Sequence, residues 1–207
     1  MQGDALNGIP AGARAAGVDE VGRGPLAGPV MAAAVILPEG YELLGLGDSK
    51  RLSARRREAL AAVLRVDAES WALGSASAAE IDALNIHHAT LLAMRRAVLA
   101  LPKMPEHLLV DGRFAPHGPW CATTVVGGDA TVPAISAASI IAKVARDALL
   151  EEMHVCYPAY GFNCHAGYPT PAHLAALVEH GPCPEHRRSF APVARSILME
   201  SARTPPR

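Results

Sequence analysis

The chain has 207 residues, 50% hydrophobic and 19% charged, with a formal net charge of −1. That composition can fill a packed core and excludes global disorder. No apolar run reaches the length of a membrane span, and Met1–Ala16 lacks a basic start followed by an apolar stretch, so neither a transmembrane segment nor a secretory signal is expected.

In chain order, Ala15–Asp19 and Val30–Leu37 read as strands, rich in small and β-branched residues and separated by a glycine-rich turn. Pro38-Glu39-Gly40 breaks the second strand. Ser53 is a good N-cap for a helix running to about Leu64. Glu69–Ser75 reads as a third strand. Ala78–Leu84 and His87–Leu101 read as helices, with Leu91, Leu92, Met94, Val98 and Leu99 as an apolar face and Pro102 as the stop. His107–Val110 and Ala122–Val126 are short strands. A long Ala/Ile-rich helix follows from Ala134 to about Val155, with Ile135, Ile140, Ile141 and Val144 expected in the core. Pro171–His180 is a further helix, stopped by Gly181-Pro182, and Thr204–Arg207 is expected to fray. The expected organisation is an N-terminal tail over 1–14, one domain over 15–200 and a flexible tail over 201–207.

Three strands end in acid. Val18 leads to Asp19-Glu20, Val110 to Asp111-Gly112, and Val126 through two glycines to Asp129. Each alone reads as a turn carboxylate. As a set at one edge of an α/β sheet they suit a metal site, because neighbouring carboxylates repel and a divalent cation relieves the repulsion. Four carboxylates can hold two Mg²⁺ ions about 3.5–4 Å apart, the arrangement for in-line attack on a phosphodiester. Asp19-Glu20 also runs directly into Gly22-Arg23-Gly24, where bare backbone admits the close approach of another chain.

The basic residues cluster at Lys50, Arg51, Arg55, Arg56 and Arg57 and again at Arg187-Arg188, and either cluster by itself reads as a solvated face. The four cysteines, Cys121, Cys156, Cys164 and Cys183, form no CxxC pair and are expected to be reduced thiols in the cytoplasm. A zinc site from Cys156, Cys164, His165, Cys183 and His186 matches no common ligand spacing.

The run Asp19-Glu20-Val21-Gly22-Arg23-Gly24-Pro25-Leu26-Ala27-Gly28 resembles the signature of type 2 ribonuclease H, the bacterial ribonuclease HII family. The resemblance continues through Asp48-Ser49-Lys50-Arg51-Leu52-Ser53, Glu80-Ile81-Asp82-Ala83-Leu84-Asn85-Ile86, Val110-Asp111-Gly112 and Gly128-Asp129. It extends over Ile135–Asp147, Gly167-Tyr168-Pro169-Thr170 and His186-Arg187-Arg188-Ser189-Phe190, in order along the chain. It implies an α/β protein of RNase H-like fold: a central mixed β-sheet flanked by helices, with a C-terminal helical extension. It also implies an Mg²⁺- or Mn²⁺-dependent endoribonuclease acting on RNA/DNA hybrids and on duplex DNA with a single embedded ribonucleotide. Such an enzyme cuts 5′ of the ribonucleotide, leaves 3′-hydroxyl and 5′-phosphate ends, and serves ribonucleotide excision repair.

Carried over residue by residue, the resemblance makes Asp19, Glu20, Asp111 and Asp129 the catalytic metal ligands. It assigns Gly22, Arg23 and Gly24 to the ribose 2′-hydroxyl, the group that separates RNA from DNA. Tyr168 is implied to stack on the deoxyribose of the following nucleotide; without the family it reads as a half-buried packing residue. Lys50 suits a phosphate contact. Lys143 and Arg146 share a helix face and either touch phosphate or pair with Asp147 and other carboxylates, while Ser136 and Ser139 allow close helix packing. Ala166 stands where the family often has lysine, so one phosphate contact is expected to be missing, and Gly47 stands where the family often has asparagine.

The type 3 relative carries an extra N-terminal domain, for which the segment before Asp19 is too short. A two-metal DNA resolvase would have no use for a turn that reads the 2′-hydroxyl, and a hybrid-binding module none for convergent carboxylates. A monomer is expected, with no membrane and no sliding-clamp partner, since Ser201–Arg207 lacks the glutamine and aromatic residues of a clamp-binding peptide.

Overall fold

The computed structural model describes residues 13–42 and 52–203. These residues group into two compact units. The first takes its described residues from those up to Val21, from Met31 to Ser75 and from Thr90 to Val144, the second from Gly22 to Val30, from Ala76 to Ala89 and from Ala145 onward. Lys50 and the tail Thr204–Arg207 lie outside the described residues.

Five strands form one mixed sheet: β1 (Ala15–Val21), β2 (Val30–Ile36), β3 (Ser70–Ala76), β4 (His107–Asp111) and β5 (Cys121–Val125), in the order β3-β2-β1-β4-β5. β1 is antiparallel to β2 and parallel to β4, with Val18 opposite Val110. β4 is parallel to β5, with Asp111 opposite Val125. β2 is buried along its whole length, as expected of an apolar run with no polar alternation.

The first unit packs helix against sheet. Helix α1 (Ala54–Asp67) starts at Ser53, whose hydroxyl accepts from the Arg56 N–H. It buries Leu60, Ala61 and Leu64 in one core with Ala33 and Val35 of β2 and with Ala137, Ala138, Ile140, Ile141 and Ala142 of α4 (Pro133–Cys156). The helix at Ala78–Leu99, α2, breaks at Asn85, where φ is 66°. Asn85 Oδ1 accepts the N–H groups of His87 and His88 and so caps the second half, which matches the two helices expected there. The buried face of that half matches expectation at Met94 and Val98 and differs elsewhere. Leu99 is exposed, while Ala89, Ala93 and Ala97 are fully buried. Gly74 of β3 explains the difference: a Cβ there would lie 2.2 Å from the Ala93 carbonyl oxygen, so only small residues fit the seam. Gly17 of β1 is under the same constraint from α4, since its Cβ would lie 2.1 Å from the Ala134 carbonyl carbon.

In the second unit, α6 (Pro171–His180) and α7 (Ala191–Arg203) form the C-terminal helical extension, with a 3-10 turn at Pro158–Tyr160 and short α5 at Phe162–His165. Sequence patterning assigned no helix at α7, whose apolar residues are divided: Val193 is buried, Leu198 and Met199 exposed. Leu150, Met153, Tyr160, Phe162, Ala176 and Cys183 form the main core here. Asp82 fastens the loop ahead of α7, accepting from the Arg188 and Ser189 N–H groups and from the Ser189 hydroxyl. All four cysteines are free, Cys183 alone being buried. Among the described residues no helix is long and apolar enough to cross a membrane.

Gly17→Ala is expected to destabilise the protein by about 1–3 kcal/mol, because helix backbone cannot yield to a methyl group as a flexible side chain can. For a chain of this size each kcal/mol lowers the melting temperature by about 2–4 °C. Calorimetry of the variant beside wild type measures it, and an unchanged midpoint would refute the close approach.

Candidate active site

The parallel pairing of β1 with β4 sets the first feature of the site. Because Val18 stands opposite Val110, Asp19 and Asp111 follow at the same end of adjacent strands. Asp19 is 5% exposed. Burial, then the charge of Glu20, and further the charge of Asp111 push its carboxyl up to about 8; the Ser139 hydroxyl and the Glu20 N–H bond it and pull the other way. The Glu20 N–H reaches Asp19 Oδ1 at 2.7 Å. Glu20 itself is half-buried.

Asp129 comes from the segment after β5. The chain turns at Gly127, with φ of 69°, into the short helix α3 (Gly128–Thr131). Asp111 Oδ1 accepts the Gly128 N–H at 2.8 Å and the Asp129 N–H at 3.4 Å, which ties the second acidic strand end to the third. A Cβ on Gly128 would stand 2.5 Å from Ile135 Cδ1, so a side chain here would require the Ile135 terminal methyl to move. Two serines of α4 serve the same group of residues. The Ser136 hydroxyl donates to the Asp129 carbonyl oxygen, and Ser139, one turn later, bonds the Asp19 carboxyl. The sequence suggested only close packing for these serines. Their spacing of three on a helix beside acidic strand ends was the available signal. Lys143, half-buried, follows Ser139 at the next turn of α4.

The donor set fits a hard divalent cation, being composed of carboxylates with one of them buried and held near 8. Among the described residues no three His, Cys, Asp or Glu side chains are placed to hold an ion by themselves. Mg²⁺ does not require such a cage, since one or two carboxylates commonly hold it with water and substrate phosphate completing the shell.

In the second unit, Gly22–Pro29 is held by two buried arginines. Arg187, 0% exposed, donates from Nε to the Gly28 carbonyl at 2.9 Å, from Nη1 to Arg23 at 2.8 Å and from Nη2 to Gly22 at 2.6 Å. Arg146, 1% exposed, donates to the carbonyls of Pro29, Ala166 and Ala27 at 3.2–3.3 Å. Burial first, and then the Arg146 charge, lower the Arg187 guanidinium to about 9, with Asp82 opposing. Arg187 is therefore no part of a solvated basic face. Arg146 contacts main chain in place of the phosphate or carboxylate expected for it, because the turn's carbonyls occupy its donors. A guanidinium fork suits this task, as five donors in a fixed plane can serve several carbonyls.

The clamp leaves the turn's outer face open. Gly22 has a φ of 91° and a Cβ there would meet Arg146 Nε at 2.2 Å, whereas Arg23 and Gly24 are exposed. Tyr168, 48% exposed, stands over Gly24, where a Cβ would lie 3.3 Å from its Cε1. The turn and the tyrosine thus form one surface. Ala166 takes φ of 51° and presents its carbonyl to Arg146.

A mixed sheet in this order, with acidic side chains gathered at the matching ends of β1 and β4, defines an enzyme of the ribonuclease H class. The sequence model of the ribonuclease HII family matches residues 16–193. A ribonuclease HII of Bordetella pertussis is 61% identical over 178 residues, covering 86% of this chain and 89% of that protein. Among solved structures, the ribonuclease H2 from Pyrococcus horikoshii OT3 superposes with a TM-score of 0.78 at 26% identity, over 90% of this chain and 98% of that one. The RNase HII in the PCNA complex from Archaeoglobus fulgidus gives 0.72 at 26% identity, over 88% and 96%. The chain belongs to the ribonuclease HII family, whose members are divalent-metal-dependent hydrolases. Its activity is that of a ribonuclease H, endonucleolytic cleavage of RNA in RNA/DNA hybrids.

Arg187→Lys keeps the charge but cannot reach three carbonyls with one ammonium. Each buried carbonyl left unpaired costs about 1–3 kcal/mol, so the variant should lose at least about 2 kcal/mol in urea denaturation at pH 7. A loss below about 0.5 kcal/mol, typical of a surface substitution, would show that the clamp is dispensable.

Proposed function

We propose that this ribonuclease nicks duplex DNA 5′ of a single embedded ribonucleotide, as well as cutting longer hybrids, and leaves 3′-hydroxyl and 5′-phosphate ends. Asp19, Glu20, Asp111 and Asp129 would hold two divalent ions, Mg²⁺ or Mn²⁺. The observation that carries this reading is the burial of Asp19 beside Glu20 and Asp111, with Asp111 tied to the Asp129 segment. The chemistry such ions supply is activation of the attacking water and stabilisation of the leaving oxygen.

The protein's part is placement. Ser139 fixes the Asp19 carboxyl, and the Gly128 N–H fixes that of Asp111, so the acidic groups are oriented before substrate arrives. The exposed Arg23-Gly24 segment offers main chain to a ribose 2′-hydroxyl, which both donates and accepts. Tyr168 would stack on the next deoxyribose, where a second 2′-hydroxyl would crowd the ring, and this makes an RNA–DNA junction the preferred site. Lys143, and Lys50 outside the described residues, supply charge for phosphate. Three exposed free cysteines suit a reducing compartment, so the reading places the enzyme in the cytoplasm, in ribonucleotide removal from DNA.

Asp19→Asn, Glu20→Gln, Asp111→Asn and Asp129→Asn should each lower cleavage at least about a hundredfold, since losing a metal ligand removes several kcal/mol of transition-state stabilisation. Their far-ultraviolet circular dichroism should stay that of wild type. Millimolar Mg²⁺ or Mn²⁺ should raise the melting temperature of wild type by mass action and raise it less in Asp111→Asn. Near-normal turnover by folded Asp111→Asn would take that residue out of the site.

Ribose recognition is tested on a DNA duplex carrying one ribonucleotide, against the same duplex with 2′-deoxy or 2′-O-methyl at that position. The enzyme should cut only the first, and only with divalent metal present. Equal cutting of the deoxy duplex would overturn the reading. Tyr168→Ala should lose about tenfold more activity on the single ribonucleotide than on continuous RNA at one fixed salt concentration, the loss expected of a stacking contact worth roughly 1–3 kcal/mol.

A further inference from the structure

Behind Tyr168 lies a buried chain of hydrogen bonds whose proton order is fixed by the geometry. The Cys183 backbone N–H donates to His186 Nδ1 at 3.0 Å. An amide N–H can only donate, so Nδ1 is the acceptor nitrogen, and the proton of the neutral ring sits on Nε2. The Cys183 thiol, 3.1 Å away, faces the same acceptor. His186 Nε2 lies 3.0 Å from His173 Nε2. His173 must accept there, which puts its own proton on Nδ1. That nitrogen is 2.9 Å from the Tyr168 carbonyl oxygen, so His173 Nδ1–H donates to it. The same carbonyl takes the Thr170 N–H at 2.8 Å.

The setting keeps both rings neutral. His173 and His186 are 0% and 1% exposed. Burial, and then the neighbouring His173, hold His186 down to about 4, and burial lowers His173 as well. His165 stacks on His173 with ring centroids 4.4 Å apart. It is ordered in the same way: its Nδ1 accepts the Gly167 N–H at 3.2 Å, so its Nε2–H donates to the Tyr160 carbonyl at 2.7 Å. Phe162 packs edge-on against His173, and Tyr160 and Phe162 cover His186. Each nitrogen of the three rings has a partner, and one assignment of protons satisfies the whole set.

We propose that His173 and His186 are positioning residues for Tyr168, a proton-ordered relay that fixes its carbonyl and so the direction in which its half-exposed ring stands to meet the deoxyribose. This rests on the junction reading of Tyr168 given above. Packing alone would need apolar rings of similar size. It would not need the donor to fall at Nδ1 of His173.

Two measurements on the full chain test it. The first is long-range ¹H–¹⁵N correlation on ¹⁵N-histidine protein at pH 7.5, which reads tautomers directly. The relay requires the proton on Nδ1 of His173 and on Nε2 of His186, and the reverse order in either ring overturns it. The second compares cleavage of a single embedded ribonucleotide with cleavage of a continuous RNA strand. His173→Asn keeps an amide donor near Nδ1, whereas His173→Gln places its amide near Nε2. His173→Gln should lower the single-ribonucleotide to hybrid ratio by about fivefold, the effect of one hydrogen bond, and His173→Asn should keep most of it. Adding His173→Gln to Tyr168→Ala should lower the ratio no further. Equal ratios for the Asn and Gln variants, or independent losses in the double variant, would reduce His173 to packing. A ratio that Tyr168→Ala leaves unmoved overturns the junction reading itself and with it the positioning role, while the tautomer order stands as a feature of the fold.

Discussion

Burial of one carboxylate beside two others is the constraint on which the first unit turns. Asp19 sits near 8 because water is excluded and Glu20 and Asp111 stand close. Hydrogen bonds from Ser139 and the Glu20 N–H offset part of that cost. The rest is an electrostatic cost that a divalent cation would relieve and that hydrophobic packing cannot. Gly17 lets the α4 backbone, which carries Ser136 and Ser139, come close to β1, because a Cβ there would meet the Ala134 carbonyl carbon.

The second unit solves a different problem. The turn Gly22–Pro29 has carbonyls that no strand or helix satisfies, and burying them unpaired would be costly. Arg146 and Arg187 supply six hydrogen bonds to carbonyls of this turn and of Ala166. The charge is spread over several dipoles in place of a carboxylate. The inner edge of the turn is thereby fixed, and the edge bearing Arg23 and Gly24 stays exposed. His173 applies the same principle to Tyr168: a side-chain donor holds a carbonyl, and the ring beyond it stays open to solvent.

Strand and helix positions were legible in the sequence where local chemistry decides them. Ser53 capped α1, α2 was read as two helices, and the apolar runs at β1, β2 and β4 bounded strands. Legible too were the acidic ends of three strands. The helix α7 was not assigned, and its apolar residues divide between buried Val193 and exposed Leu198 and Met199. Nor was the alanine face of α2, since its cause, Gly74, lies on another element.

By itself the sequence determined which residues end strands, which cap helices and which family the motifs resemble, because these depend on neighbours within a few positions. Tertiary structure alone decided what the polar side chains of the motifs touch. Arg146 and Arg187 look like surface charge in the sequence, yet each is buried against carbonyls more than a hundred residues away in the chain. Ser139 looks like a small packing residue and bonds a carboxylate. Which partner satisfies a buried donor depends on which carbonyl folding brings within about 3 Å, and no local pattern carries that distance.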